Sequence, residues 1–490
     1  MEKSSGAVQE GKFNGEQMKI FLIFPQIYVP RNGVFDMSVG FPLGIAYLAS
    51  VLENNNYAVE VMDAFQEGLL GDNLHEETED AIRVSKGMFC KNKFKESSFS
   101  QEAFYVGVNM NEVLNRIKKA KPDLVGLSCI FSSQFLMVLE IAKAIKKRFS
   151  SLKIIVGGSH VTVSPKETLM NDNVDYIIMG EGEESFLEFV RRMEKNEPID
   201  DILGLGFKKT NKEIVINDFK LIDNLDEVSF PAYHKFNMEN YFKSAAEGRV
   251  IKMITSRGCT FNCYFCSVPV TSKRRFRMRS AQNVIDEIKF LKQKYDIKGV
   301  MFEDDNMTMN IKRAKEIFRV MKDSGFGLEL HARNLRLDLL DSELIELMKA
   351  CGMKKVWITP ESGNQRILTE VIDKKLNLKE VDKVVDLVKR VGLEIAAAFV
   401  IGFPDETKQE ISETLNYARK LKKRGVNEFW FSIARPIIGT RFYDDALKMG
   451  LIKGMNYNLF SYSAAAYDTK NFTAAEIKDI RESIMKELNN

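Results

Sequence analysis

The sequence predicts an α/β protein in two parts. The N-terminal half reads as an open, doubly wound parallel sheet. The C-terminal half reads as a partial (β/α)6 barrel that ends in a small helical cap. Three observations predict this. Short apolar segments alternate with segments of helical spacing in both halves, the pattern of parallel sheets joined by crossover helices. The βα period repeats six times after Val250. The one loop that concentrates cysteines follows the first strand of that repeat, at the carboxyl end where barrels carry their sites.

Length and composition set the outer bounds. The chain has 490 residues, 45% of them apolar and 28% charged, enough for several ordinary globular cores. Its 71 basic and 68 acidic side chains leave a net charge of +3, so electrostatics argue for neither nucleic acid nor anionic membrane as a partner. No apolar run reaches the length of a transmembrane helix. Residues 1–17 are polar, without the apolar core of a signal peptide, and are expected to be a disordered tail. A cytoplasmic, reducing location is therefore expected. The six cysteines agree: three crowd one loop, while Cys90, Cys129 and Cys351 are scattered.

In the N-terminal half, Met18–Ile27 reads as a buried first strand, followed by a helix over Pro42–Glu53 and a strand over Ala58–Ala64. The polar and aromatic segment from Phe65 to Asn111 reads as an insertion of helices and loops. Val113–Lys119 reads as helix, Asp123–Ile130 as strand, Leu136–Phe149 as helix, and Lys153–Val156 and Asp175–Met179 as strands. Ligands in such sheets bind outside the carboxyl ends of the strands. Three loops leave those ends: Pro25–Gly44, Ser128–Gln134 and Gly157–Thr162. The expected division is a sheet domain over 18–197, a connector over 198–244, the barrel over 245–440 and the cap over 441–490.

In the C-terminal half, strands are expected at Val250–Thr255, Gly299–Glu303, Leu328–Ala332, Lys355–Thr359, Glu394–Ile401 and Glu428–Ala434. Helices are expected at Ala281–Lys294, Ile311–Ser324, Asp341–Ala350, Leu378–Val391 and Lys408–Arg424, with glycines just past four of the ends. The run Lys273–Arg279 could hold a phosphate or carboxylate, although such a run is more often a solvated face. His331 ends the third strand and Arg336 follows it; either could face the cavity, a hydrogen-bonded core histidine being the plainer reading of His331. In the last helix, Ile477, Ile480, Ile484 and Leu488 share one face, so it packs.

The stretch Thr255-Ser256-Arg257-Gly258-Cys259-Thr260-Phe261-Asn262-Cys263-Tyr264-Phe265-Cys266 carries the chemistry. Its spacing is C-x3-C-x2-C. Short, fixed thiolate spacings are how a loop wraps an iron–sulfur cube. Three thiolates satisfy three irons of a four-iron cluster and leave the fourth open. Structural zinc needs four ligands, usually in two pairs, and no second pair follows. An odd, crowded set in a chain without secretion signals does not read as disulfides.

This stretch closely resembles the radical S-adenosylmethionine (SAM) signature, including the aromatic Phe265 before the last cysteine. The resemblance implies a TIM-like barrel with Cys259, Cys263 and Cys266 as ligands of a 4Fe-4S cluster. SAM would chelate the open iron and be cleaved by one electron to a 5′-deoxyadenosyl radical. It also implies SAM contacts at later strand ends: Glu303, Asp304 and Asp305 after the second strand, Glu361 and Ser362 after the fourth, and Ile401 and Gly402 after the fifth. Thr359 stands where the family usually has glycine, and Arg435–Thr440 resembles the family's Pro-Gly-Thr turn with an insertion.

The N-terminal half resembles the cobalamin-binding Rossmann-like domain, whose pattern is D-x-H-x-x-G, then S-x-L, then G-G. Ser128-Cys129-Ile130 stands for S-x-L, and Gly157-Gly158 follows at the family's spacing. D-x-H-x-x-G is absent: Gln26–Gly40 contains no histidine, so the usual histidine below cobalt is missing. Phe41–Gly44 and the run Gly180-Glu181-Gly182-Glu183 also look like this subfamily, and His160 could sit near the corrin or the nucleotide tail. Together the resemblances imply a cobalamin-dependent radical SAM enzyme that methylates an unactivated carbon of a small molecule, natural-product or lipid precursor. An external one-electron donor such as ferredoxin or flavodoxin would reduce the cluster. Cyclisation or rearrangement without methyl donation is the alternative on the same scaffold. A non-enzymatic cobalamin sensor would need neither the cysteine loop nor the SAM-like strand ends.

Overall fold

The computed structural model describes residues 17–30, 40–69, 82–84, 88–90, 92–94, 103–244, 248–454 and 467–490. The expected tail at 1–17 and part of the cap therefore lie largely outside the described residues. The chain forms two compact units. The first comprises Met1–Asp223 with Glu227–Ser244, the second Asn224–Asp226 with Ala245–Asn490.

The first unit is built on a seven-stranded sheet. Five strands are parallel, in the spatial order Ala58–Asp63, Lys19–Phe24, Leu124–Ser128, Lys153–Gly157 and Tyr176–Ile178. Apolar runs make these strands, because both faces of a parallel sheet are covered. In Lys19–Phe24, residues Ile20, Leu22 and Phe24 join a core with Ile45, Ala49 and Leu52 of helix Leu43–Asn54. Phe186, Phe189 and Val190 of helix Gly182–Lys195 complete it. The alternate residues Phe21 and Ile23 are buried as well. Each such side chain contributes about 1.5–3 kcal/mol of burial. The first strand lies between the second and third, so the order in which strands are added reverses there; open sheets bind ligands at that switch point.

Two features depart from expectation. Leu205–Lys208 and Ile214–Ile216 occur where short strands of a connector were expected, at 204–208 and 213–216, but they extend the sheet antiparallel from Tyr176–Ile178. The insertion contains short strands where helices and loops were expected. Ala103–Val106 pairs with Ile27–Pro30, so a partner remote in sequence decides the conformation.

The second unit has the six expected parallel strands, in two sheets of three. Val250–Met253, Gly299–Phe302 and Glu329–Ala332 form one. Lys355–Glu361, Glu394–Ile401 and Glu428–Ile433 form the other. Helices Ala281–Tyr295, Ile311–Asp323, Ser342–Ala350, Leu378–Val391 and Lys408–Lys423 alternate with them. Local chemistry sets the ends. Asn377 and Thr407 open capping boxes with Glu380 and Glu410, and Gly392 closes a helix at φ 78°. The helix starting at Ser342 is capped by Asp341, which accepts from the Leu344 amide. The last helix, Ala474–Asn489, buries Ile477, Ile484 and Leu488, while Ile480 is half-buried.

Candidate active site

The cysteine loop is anchored before its first cysteine. Asp304, at the end of the second barrel strand, is 1% exposed. Its carboxylate accepts from the Thr255 amide at 3.1 Å, the Thr255 hydroxyl at 2.8 Å and the Ser256 hydroxyl. Asp305 Oδ2 accepts from the Gly258 amide at 2.8 Å. Ser256–Arg257 pairs antiparallel with Arg277–Met278. Buried Arg313 donates to the carbonyls of Thr255 and Arg279. Arg279 in turn is paired inside with Glu287. The basic run thus divides: Lys273, Arg274 and Arg275 are exposed, whereas Arg277 and Arg279 are interior.

Beyond the anchor, the Cys266 amide donates to the Cys263 carbonyl at 3.1 Å, and Asn306 Nδ2 lies 3.9 Å from Cys259 Sγ. Tyr264 stacks on Phe442, with ring centroids 5.1 Å apart, and Phe265 lies 6.0 Å from Phe403. Cys259, Cys263 and Cys266 are free thiols. Burial pushes Cys266 up to about 12, with repulsion from Cys263 and Cys259 adding to the rise. Among the described residues no three His, Cys, Asp or Glu side chains close on a single ion. The fit is to a cluster, on donor chemistry: three free thiols on one loop, near enough to repel as thiolates. Iron compensates that repulsion and displaces the protons.

The strand ends expected to contact SAM differ in use. Glu303 pairs with Lys252 at 3.2 Å. Asp304 holds the loop, as described. Glu361 adopts a left-handed φ of 66°, sparsely populated for a residue with a Cβ, and binds Lys374 Nζ at 2.7 Å. Ser362 is fully buried and bonded to Thr414 Oγ1 at 3.0 Å, so it fixes the turn. Ile401 is buried. The amides of Gly402 and Phe403 donate to Glu406 Oε2 at 2.6 and 3.1 Å, and Tyr467 donates to the Gly402 carbonyl at 2.6 Å. Burial raises Glu406 to about 7. His331 is one-third exposed beside Glu329, not a core histidine, because its side chain lies on the less covered face of its strand.

In the first unit the carboxyl ends carry a cradle. Ser128 pairs with Gly157. Gly158 has φ 117°, and a Cβ there would lie 2.5 Å from the Cys129 carbonyl oxygen. His160 is 1% exposed, with Nδ1 2.9 Å from Ser132 Oγ and its ring 4.5 Å from Phe135. Burial holds it neutral, with a pKa lowered to about 4. Gly180 donates its amide to Thr162 Oγ1 at 2.8 Å, and Glu181 accepts from the Ile222 amide at 2.7 Å. Sequence reasoning missed Gln26 and Gln134, after the first and third strands. Both are fully buried, and Gln26 Oε1 and Gln134 Nε2 have no hydrogen-bond partner among the described residues. Polar atoms so placed at the switch point suit a large polar ligand.

Profile and relative comparisons decide the family. The Radical SAM superfamily profile matches residues 253–418, and the B12 binding domain profile matches residues 91–190. An uncharacterized methyltransferase of Pyrococcus horikoshii is 30% identical over 94% of this chain and 90% of its own length. The chain belongs to the cobalamin-dependent radical SAM enzymes. The cytidylyl-2-hydroxyethylphosphonate methyltransferase of Streptomyces wedmorensis is 28% identical, covering 89% of this chain and 82% of that protein. The fold matches the radical SAM methyltransferase TsrM of Kitasatospora setae, solved with cobalamin and a [4Fe-4S] cluster. That match has a TM-score of 0.67 at 16% identity, over 89% of this chain and 75% of TsrM. The cofactors of this radical SAM enzyme are accordingly a 4Fe-4S cluster, SAM and cobalamin. Among the described residues no helix is long and apolar enough to cross a membrane.

Proposed function

We propose that the chain methylates an unactivated carbon of a small molecule, with an external one-electron carrier such as a ferredoxin or flavodoxin as reductant and the cytoplasm as its setting. The observation that carries this is the joining, in one chain, of a three-thiol loop at a barrel rim with a glycine cradle at a switch point. The names of two near-full-length relatives, both methyltransferases, favour methyl transfer over cyclisation. When bound, the cluster and SAM supply hydrogen abstraction and cobalamin supplies the methyl group.

The protein's part is to bind, orient and exclude. Cys259, Cys263 and Cys266 hold the cluster. Asp304 and Asp305 hold the loop that carries them, through Thr255, Ser256 and Gly258. Glu303, Glu361, Gly402 and Phe265 border SAM; Ile401 and Ser362 support them from inside. Ser128, Gly157, Gly158, Gly180 and Glu181 border cobalamin, with Gln26 and Gln134 as further polar contacts. His160 supports this rim as a packed core side chain, held by Ser132 and Phe135, rather than as a ligand of cobalt. Hydrogen abstraction needs no general acid or base, in keeping with a site built of positioning groups.

The test is anaerobic incubation of candidate small molecules with protein, reductant, SAM and methylcobalamin. A product heavier by one methylene supports the proposal. SAM cleavage with a product of unchanged mass, or one short of two hydrogens, supports rearrangement or cyclisation instead.

A further inference from the structure

Behind the cysteine loop lies a group of buried charges that no motif announces. The segment Ile372–Lys374 is docked on the loop. The Tyr264 amide donates to the Ile372 carbonyl at 2.9 Å, directly after Cys263. Arg441 bridges the Asn262 carbonyl and Asp373. Lys374 is 7% exposed. Its ammonium donates to the Thr359 carbonyl at 2.6 Å, Thr359 Oγ1 at 3.0 Å and Glu361 Oε1 at 2.7 Å. Those three acceptors match the three donors of an ammonium. Lys374 is thus committed to the protein, and what it offers a cofactor is charge and position.

A second cation reinforces the first. Arg336 is 6% exposed, and its guanidinium lies 3.3 Å from the ring centroid of Phe261, between Cys259 and Cys263 in sequence. It donates to the Lys374 carbonyl and pairs with Asp338 at 2.6 Å. Glu361 offsets part of this charge. Geometry alone puts both cations at the loop: Ile372, two residues before Lys374, is bonded to Tyr264 directly after Cys263, and Arg336 lies on Phe261 two residues before Cys263.

We propose that Lys374 is a positioning residue that sets the reduction potential of the cluster, placing a buried positive charge beside Cys263 and holding Glu361 in its left-handed conformation. This rests on the radical SAM reading. Reduction adds one electron, from the external carrier, to a cluster bound by three thiolates. The reduced form is the more negative, so a fixed cation beside it favours reduction, as charge near an iron–sulfur cluster does in general. Glu361 acts in the opposite sense.

The experiment is a redox titration of the reconstituted holoprotein without SAM, followed by electron paramagnetic resonance, with iron and sulfide counted in each sample. In Lys374→Met the reduction equilibrium is expected to fall by at least tenfold, which for one electron is about 59 mV towards lower potential. Lys374→Arg, which keeps the charge, should stay within about threefold of wild type, and Glu361→Gln should shift upward. A Lys374→Met potential equal to wild type overturns the proposal, as does a Lys374→Arg shift matching Lys374→Met. If Lys374→Met takes up no cluster, Glu361→Gln decides: an upward shift supports the proposal, and no shift or a downward one overturns it. Loss of cluster in both variants also overturns it, since the role would then be structural. Wild-type protein that binds no iron would instead refute the radical SAM reading itself.

Discussion

Replacing Gly258 by alanine isolates the geometry on which the cluster loop depends. Gly258 has φ 87°, where an L-residue is disfavoured by about 1–2 kcal/mol. A Cβ would also lie 2.0 Å from the Arg275 carbonyl oxygen and 2.9 Å from Ser272 Cβ. The nearer neighbour is backbone, in the turn that leads into the short pairing of Ser256–Arg257 with Arg277–Met278. It can yield only by breaking that pairing or the Gly258–Asp305 hydrogen bond. Overpacking of this kind costs about 1–3 kcal/mol. The sum is about 2–5 kcal/mol, so at 1.4 kcal/mol per factor of ten the native loop becomes at least about thirty-fold rarer. The assay is iron and sulfide per chain after anaerobic reconstitution, with the visible absorption of the cluster. Gly258→Ala should lose most of its cluster while melting close to wild type. Gly325→Ala is the control: φ is again positive, at 61°, but no atom lies within 4 Å of the added Cβ. It should cost only the conformational term of about 1–2 kcal/mol and keep a full cluster. A Gly258→Ala protein with wild-type iron and absorption would refute the reasoning.

Three further predictions address other parts of the molecule. Burial raises Asp63 to about 7 against its hydrogen bonds from the Gln66 amide and Tyr241. Between about pH 4 and 7 the folded chain keeps a proton that the unfolded chain releases, so this group's contribution to stability falls as pH rises. Asp63→Asn should gain on wild type across that range by up to about 4 kcal/mol, read as a melting-temperature difference that grows with pH. His160, lowered to about 4, acts oppositely: its stability is lost as pH falls from 6.5 to 4, so Asp63→Asn should also steepen acid destabilisation. Glu406→Ala would leave the amides of Gly402 and Phe403 without their acceptor. It should cost about 2–4 kcal/mol, and equilibrium dialysis should show weaker SAM binding. In the cob(II)alamin form, electron paramagnetic resonance should show no nitrogen splitting from a protein histidine; splitting that disappears in His160→Ala would contradict the packed position of that ring.

Local signals were the legible ones. Glu394–Ile401 and Leu378–Val391 occur with the bounds read from sequence, because an apolar run sets one and a capping box with Gly392 the other. The cysteine loop was legible from spacing alone. Contacts made at long range were not. The fourth barrel strand runs on through Pro360 to Glu361, with a register shift after Ile358 that no pattern foretells. Lys374 looks like an ordinary surface charge until the fold buries it against Glu361, and Arg336, which the sequence allowed to face the cavity, is instead packed on Phe261. Asp304 and Ser362 sit where ligand contacts are expected, yet their oxygens are bonded to Thr255, Ser256 and Thr414. Residue type placed them at a strand end; only packing determined which way they turn. Gln26 and Gln134 show the same limit, since an amide is conspicuous only when buried without a partner.

The central claim is that the three-thiol loop and the cobalamin fold act together in methyl transfer. Its most direct test is a single mass measurement on a turned-over substrate, with SAM labelled in its methyl group, in the presence of reductant and cobalamin without oxygen. The account predicts product carrying one labelled methyl on carbon from wild type, and none from Cys263→Ala. Labelled product formed at the wild-type rate by Cys263→Ala would contradict it.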